Sequence, residues 1–199
     1  MSKKPLGVVL CGGQSSRMGQ QKSLLRHDSG GTYLQHAIKR LKDICDDVCI
    51  AGSPSEDHSA TAEASAENTH RDDITLADPV LYQGPVVGIV SGLQFAKEAR
   101  LSACLVTPVD MPNLTVDDLR KLLYAWRSSQ QLTIVVNESD QKLQPLVGIY
   151  PVKILGAMKQ LAQNDDRSLH RWLGQQTHQA IALSDHACHN VNRPEDLNA

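Results

Sequence analysis

The sequence predicts an α/β fold: a mainly parallel sheet covered by helices on both faces. Three observations carry that expectation. Short runs recur that are apolar throughout, the pattern of strands buried on both sides. Between them lie longer segments with apolar residues at helical spacing, so strand and helix alternate along the chain. The length of 199 residues suits one domain with a sizeable core and would cramp two. A single domain over 1–199 is expected.

"LGVVLCG", from Leu6, reads as a central strand ended by glycine. "TYLQHAIKRL" places Leu34, Ala37, Ile38 and Leu41 on one helix face, with Thr32 as N-cap. "DVCIAG" is a second buried strand. The polar stretch over 53–73 has no bulky apolar residue and cannot bury a face, so it reads as a solvent-exposed loop insertion or a loose helix within the domain. "ITLAD" is a third strand, and "GPVVGIVSGLQFAKEA" a turn opening a helix. "LSACLVTPVD" is a buried strand ending in an acid. "TVDDLRKLLYAWRSS" is a helix capped by Thr115, with acids in its first turn where the helix dipole favours them. "QLTIVVNES" and "QPLVGIYP" are strands joined as a hairpin across "DQK". "VKILGAMKQLAQ" and "SLHRWLGQQ" are helices, "HQAIALS" a last strand, and "RPEDLNA" the start of a final helix. Trp126 and Trp172 fall within amphipathic helices and are read as core anchors.

Composition narrows the function. Hydrophobic residues make up 41% and charged residues 21%, as in ordinary globular proteins. A net charge of -2 argues against a nucleic-acid binder while leaving room for a local basic pocket. No apolar run approaches the roughly 20 residues of a membrane-spanning helix, so no membrane partner is expected. The apolar part of the N-terminal segment is shorter than the roughly 7–15 residues of a secretion signal. Five cysteines without a Cys-x-x-Cys pair fit a reduced, cytoplasmic setting. The histidines show no metal-ligand spacing.

In sheets of this kind ligands bind beyond the carboxyl ends of the strands. Two chemically suggestive sites fall there: the glycine-rich stretch after the first strand, and Asp110. Gly12 and Gly13 allow backbone N–H groups to converge on a phosphate. Ser15 and Ser16 donate hydroxyl hydrogen bonds, Arg17 forks onto phosphate oxygens, and Lys22 adds a mobile charge. The adjacent glycines satisfy neither the Rossmann nor the Walker pattern, which disfavours a dinucleotide-dependent oxidoreductase. The alternative is a glycine-rich turn with surface cations. Asp110 stands between Pro108 and Pro112, whose rings stiffen the backbone. A stiff carboxylate at a strand end suits Mg²⁺, and a turn or cap aspartate is the competing reading. Asp78 follows a short strand and reads as base-recognising or as a turn residue. Asn190 and Asn192 flank Val191 at a strand end, where alternation turns both amides to one face; an Asx turn before Pro194 is the other reading. Arg167, Arg171 and Lys142 would meet an anionic acceptor or serve as solvated helix charges.

These residues resemble a known family. "LCGGQSSRMGQQKSLL" resembles the signature LAGGxSxRMGxDKxLL of the MobA-like nucleotidyltransferases. "GPVVG" resembles the family's GPLxG, "TPVDMP" its PxDxP, and "HNVNRPEDL" its closing NVNTPEEL. The four motifs follow in order and span nearly the whole chain. Gln21 stands where the family usually has Asp, and Gln144 where it often has His before proline. The neutral Gln21 leaves Lys22 freer to meet phosphate, and a GTP-binding protein with little catalysis is one alternative it raises.

The resemblance implies a Rossmann-like three-layer sandwich of the nucleotide-diphospho-sugar transferase type. It implies transfer of GMP from GTP to the phosphate of molybdopterin, or its molybdenum-loaded form, with release of pyrophosphate. A related transferase using CTP or another phosphorylated acceptor is the alternative, and Gly13, which omits a methyl, favours the larger purine. Mg²⁺ is the implied cofactor, held by Asp110. Arg17, Lys22 and Asp110 are the implied catalytic residues. Leu10, Cys11, Gly12, Gly13, Ser15, Lys22, Asp78, Gly84, Pro85, Gly88, Asp110, Asn190 and Asn192 are the implied nucleotide and cofactor contacts. Other proteins of molybdenum cofactor biosynthesis are implied partners.

Overall fold

The computed structural model describes residues 4–11, 25–27, 30–52, 74–76 and 84–191. The 53–73 insertion and the segment "RPEDLNA" lie outside the described residues. Among the described residues, seven strands form one sheet: β1 (Leu6–Leu10), β2 (Val48–Ala51), β3 (Ile74–Leu76), β4 (Ala103–Pro108), β5 (Thr133–Asn137), β6 (Leu143–Pro151) and β7 (Gln179–Leu183). Their order across the sheet is β3-β2-β1-β4-β6-β5-β7. All run in one direction except β6, which is antiparallel to both β4 and β5. The expected mainly parallel sheet is therefore present, and its reversed strand is half of the hairpin read across "DQK".

The helices are α1 (Tyr33–Lys42), α2 (Pro85–Glu98), α3 (Val116–Ser129), α4 (Leu155–Gln163) and α5 (Leu169–Leu173). They form two layers. Val9, Ile50 and Leu105 face α1 and α3, packing with Leu34, Leu41, Leu122 and the fully buried Trp126. Val8, Leu10, Cys104 and Val106 face the other way, against Ile89 and Leu93 of α2, Met158 of α4 and Leu169 of α5. Successive strand residues thus feed opposite cores, which is why these strands are apolar throughout. No helix among the described residues is long and apolar enough to cross a membrane.

Two helices begin with complete capping boxes. Thr32 accepts from the Gln35 N–H while Gln35 Oε1 accepts from the Thr32 N–H, and Thr115 and Asp118 repeat the exchange. "VKILGAMKQLAQ" divides, with one 3₁₀ turn over Val152–Ile154 before α4. "SLHRWLGQQ" is helical over Leu169–Leu173, with Gly174 as its C-cap donating its N–H to His170 O. The β5–β6 ladder slips between Ile134, opposite Gly148, and Val135, opposite Gln144. Pro145, which has no N–H to give a ladder, falls in that irregularity, and Tyr150 Oη donates to its carbonyl at 2.5 Å.

Burial pushes the Asp118 carboxyl up, but hydrogen bonds from Thr115 and Lys121 outweigh it and leave the group below an aspartate's ordinary 3.8. A depressed carboxyl contributes stability above that value and loses it as pH falls through its folded value. Thr115→Ala is expected to cost about 1 kcal/mol in urea unfolding at pH 7. Its difference from the wild type should shrink once the pH falls below 3.8.

Candidate active site

The carboxyl ends of β1 and β4 meet at the middle of the sheet. Leu10 pairs with Pro108, and beyond the ladder the Val109 N–H still donates to Leu10 O at 3.1 Å. On the other side the Cys11 N–H donates to Ala51 O at 2.8 Å. The backbone that enters the glycine-rich stretch is therefore fixed against both neighbours, and Asp110 stands one residue beyond Val109. Of the expected phosphate and base contacts, Leu10 and Cys11 lie at this edge. Gly12, Gly13, Ser15, Arg17, Lys22, Asp78 and Asn192 lie outside the described residues.

Asp110 is half-buried, in a turn rather than in the strand that precedes it. Its own carbonyl accepts from the Val191 N–H at 2.9 Å. That bond draws the closing segment, with Asn190, to the same edge. Val191 is buried in the core beside it. The expectation that Asn190 sits at a strand end is corrected: β7 ends at Leu183, and a turn over residues 185–188 intervenes. Among the described residues, the Val191 N–H and its buried side chain tie the segment here, and no ladder sets the direction of the Asn190 amide. His189, just before it, buries an Nε2 with no partner among the described residues.

Gly84 and Pro85 begin α2 at the same edge. Gly84 has φ 84° and ψ 177°, a conformation that essentially only glycine adopts, and α2 has no side-chain cap there. Gly88 faces inward. A Cβ on it would stand 2.9 Å from Leu10 Cδ2 and 3.2 Å from Ala51 Cβ, so a larger residue there would force Leu10 or the helix to shift. Gln144 also lies at the carboxyl edge, where its Nε2 donates to Asn137 Oδ1 at 2.6 Å. Arg171 pairs with Asp166, and Arg167 Nε donates to Asn164 O. Trp172 packs half-buried against the core.

Sequence reasoning missed one residue here. Arg40 of α1 is buried, and its Nη1 donates to the carbonyls of Met111 (3.1 Å), Pro112 (2.9 Å) and Leu114 (2.8 Å). Burial pushes the guanidinium down to about 10, which still leaves it charged at neutral pH. The signal was present: Tyr33, Ala37 and Arg40 share the apolar stripe of α1. A cavity lined by Lys4, Pro5, Asp46 and Ala99 opens at the opposite, amino edge, where Lys4 and Asp46 already pair at 2.7 Å.

Among the described residues no three His, Cys, Asp or Glu side chains converge as a metal cage. Among the described residues, Asp110 brings a hard carboxylate to this edge. That fits an ion completing its shell with phosphate oxygens and water, as Mg²⁺ and Mn²⁺ do, and not a structural zinc.

Comparison with known proteins places this arrangement. The model of the MobA-like NTP transferase domain matches residues 7–180. A protein of Rhodopirellula baltica, named probable molybdenum cofactor guanylyltransferase, is 41% identical over 193 residues, covering 96% of this chain and 89% of that one. The crystal structure of molybdopterin-guanine dinucleotide biosynthesis protein A from Archaeoglobus fulgidus shares the fold. Its TM-score is 0.72 at 16% identity, over 97% of this chain and 95% of that one. A Mycobacterium tuberculosis protein solved as a manganese complex aligns with a TM-score of 0.67 at 15% identity, over 92% and 89% of the two chains.

All five cysteines are free. Burial pushes the Cys11 thiol from 9.0 up to about 12. At pH 8 its thiolate fraction is then about a thousandfold below that of an ordinary thiol. Iodoacetamide at pH 8 should label Cys11 slowly in the native protein and rapidly in urea, read by mass spectrometry. Because the folded value is the raised one, this group's contribution to stability holds below pH 9 and is lost as pH climbs towards 12.

Proposed function

The chain belongs to the MobA-like NTP transferase family, and on that premise we propose that it is a molybdenum cofactor guanylyltransferase. It joins the GMP of GTP to the phosphate of molybdopterin and releases pyrophosphate. The single observation that supports this reading most is the meeting of Cys11 and Asp110 at the carboxyl ends of β1 and β4, fixed by the Val109 N–H on Leu10 O. It sets the mouth of the glycine-rich stretch beside a carboxylate, where sheets of this kind bind ligands.

The chemistry needs position and charge more than covalent participation. A phosphate monoester is already mostly ionised at neutral pH, so the acceptor needs no general base. We assign the triphosphate to the backbone amides of Gly12 and Gly13, the Ser15 hydroxyl, Arg17 and Lys22. The two cations would offset the charge that gathers on departing pyrophosphate. Gly84 and Pro85, at the uncapped start of α2, would lie against the base together with Asp78. Gly88 would serve by letting that helix approach Leu10. Asn190 and Asn192 would meet phosphate or the acceptor. Nucleotidyltransferases of this kind use a divalent metal, and we assign Mg²⁺ to Asp110. When bound, the ion neutralises phosphate charge and polarises the phosphoryl group under attack. We assign the reaction to the cytoplasm, a setting that suits five free thiols.

The test is pyrophosphate release from Mg-GTP with the pterin acceptor, alongside CTP. GTP should support turnover and CTP should not; turnover with CTP alone would move the chain to another branch of the family. Asp110→Ala should lower kcat/KM roughly a thousandfold, the scale of several kcal/mol of lost charge stabilisation. It should change thermal stability little, since removing a half-buried turn acid seldom costs much.

A further inference from the structure

We propose that Arg40 is the positioning residue for Asp110, holding the loop that carries the carboxylate by gathering the carbonyls of Met111, Pro112 and Leu114. This rests on the metal role given to Asp110 above. It assigns a function to a buried side chain that acts through the loop backbone.

The loop after β4 cannot hold itself. It is irregular, Pro112 has no N–H, and carbonyls turned towards the core find no ladder there. Within it, Leu114 N–H donates to Met111 O at a long 3.4 Å. One guanidinium nitrogen replaces what the backbone lacks. Arg40 Nη1 reaches three carbonyls at 2.8–3.1 Å across a sequence gap of 71 to 74 residues. The arrangement is costly, because a buried cation whose partners among the described residues are carbonyls gains less than one facing a carboxylate. Arg40 Nε remains without a partner there. An apolar residue on the Tyr33–Ala37 stripe would fill the space but take away the donor that reaches Pro112 O and Leu114 O, leaving Met111 O with only the long bond from Leu114 N–H.

What Arg40 holds is continuous with Asp110. On the near side, Val109 N–H is fixed to Leu10 O and Asp110 O to Val191 N–H. On the far side, Thr115 caps α3. Arg40 secures the residues between, so the backbone that carries the carboxylate is tied at both of its ends. A metal ligand held by outer contacts of this kind keeps its orientation before the ion arrives, and loss of such contacts typically weakens metal affinity or activity about 10–100-fold.

The test uses the whole protein and three variants, Arg40→Lys, Arg40→Gln and Asp110→Asn. Binding of Mn²⁺ is measured by electron paramagnetic resonance with and without GTP, beside kcat, KM for GTP and thermal melting. All assays run at least ten degrees below the variant's melting point. The Asp110-dependent Mn²⁺ site should weaken about tenfold or more in both Arg40 variants. The loss of turnover should lie in kcat, with KM for GTP little changed, and Lys should restore more than Gln. Wild-type Mn²⁺ affinity and kcat in folded Arg40 variants would overturn the proposal, as would failure of both to fold at any temperature. If the wild type shows no turnover with GTP and the pterin, the functional reading fails. A weakened Asp110-dependent Mn²⁺ site in the variants would still uphold Arg40's role.

Discussion

The parallel pairing of β1 with β4 is the constraint from which the site follows. These strands lie adjacent near the middle of the sheet although β2 and β3 separate them in sequence. Their register runs from Leu6 against Cys104 to Leu10 against Pro108. Shifting it by one residue would turn every side chain of a strand into the opposite core, and both cores are filled. Packing on two faces therefore fixes the register, and the register sets Cys11 level with Val109 and Asp110. Chemistry at the edge depends on hydrophobic contacts far inside.

From that edge outward, backbone order comes from individual hydrogen bonds. Val109 leans on Leu10, Asp110 accepts from Val191, and Arg40 gathers the carbonyls that follow. Each connects segments far apart in sequence, so the site requires the whole fold and no local segment specifies it. The buried charge of Arg40 costs more desolvation than an apolar residue would. Its retention is understandable where a particular loop conformation matters more than the last increment of stability.

The capped helices and the buried strands were legible in the sequence because their signals are local. Thr32 with Gln35 and Thr115 with Asp118 announce helix starts within four residues, and runs such as "ACLVTP" admit no solvent-facing side. Arg40 shares the apolar stripe of α1, but its carbonyl partners lie more than seventy residues away, and no local pattern points to them. The alternation of Asn190, Val191 and Asn192 imitates a strand end; a tie from the Val191 N–H to Asp110 O holds the segment instead. Gly88 carried a base-contact expectation, and the close crossing of α2 over Leu10 supplies a packing reason for it that the sequence does not display. The motif resemblance reached the family because four ordered segments constrain one another, although each taken singly is a common turn.

The most direct test of the central claim is a crystal structure with Mg²⁺ and a non-hydrolysable GTP analogue. The account predicts the triphosphate across the carboxyl ends of β1 and β4, with an Asp110 carboxylate oxygen in the metal shell and Arg17 and Lys22 on the phosphates. A nucleotide bound elsewhere, or a metal held without Asp110, would contradict it.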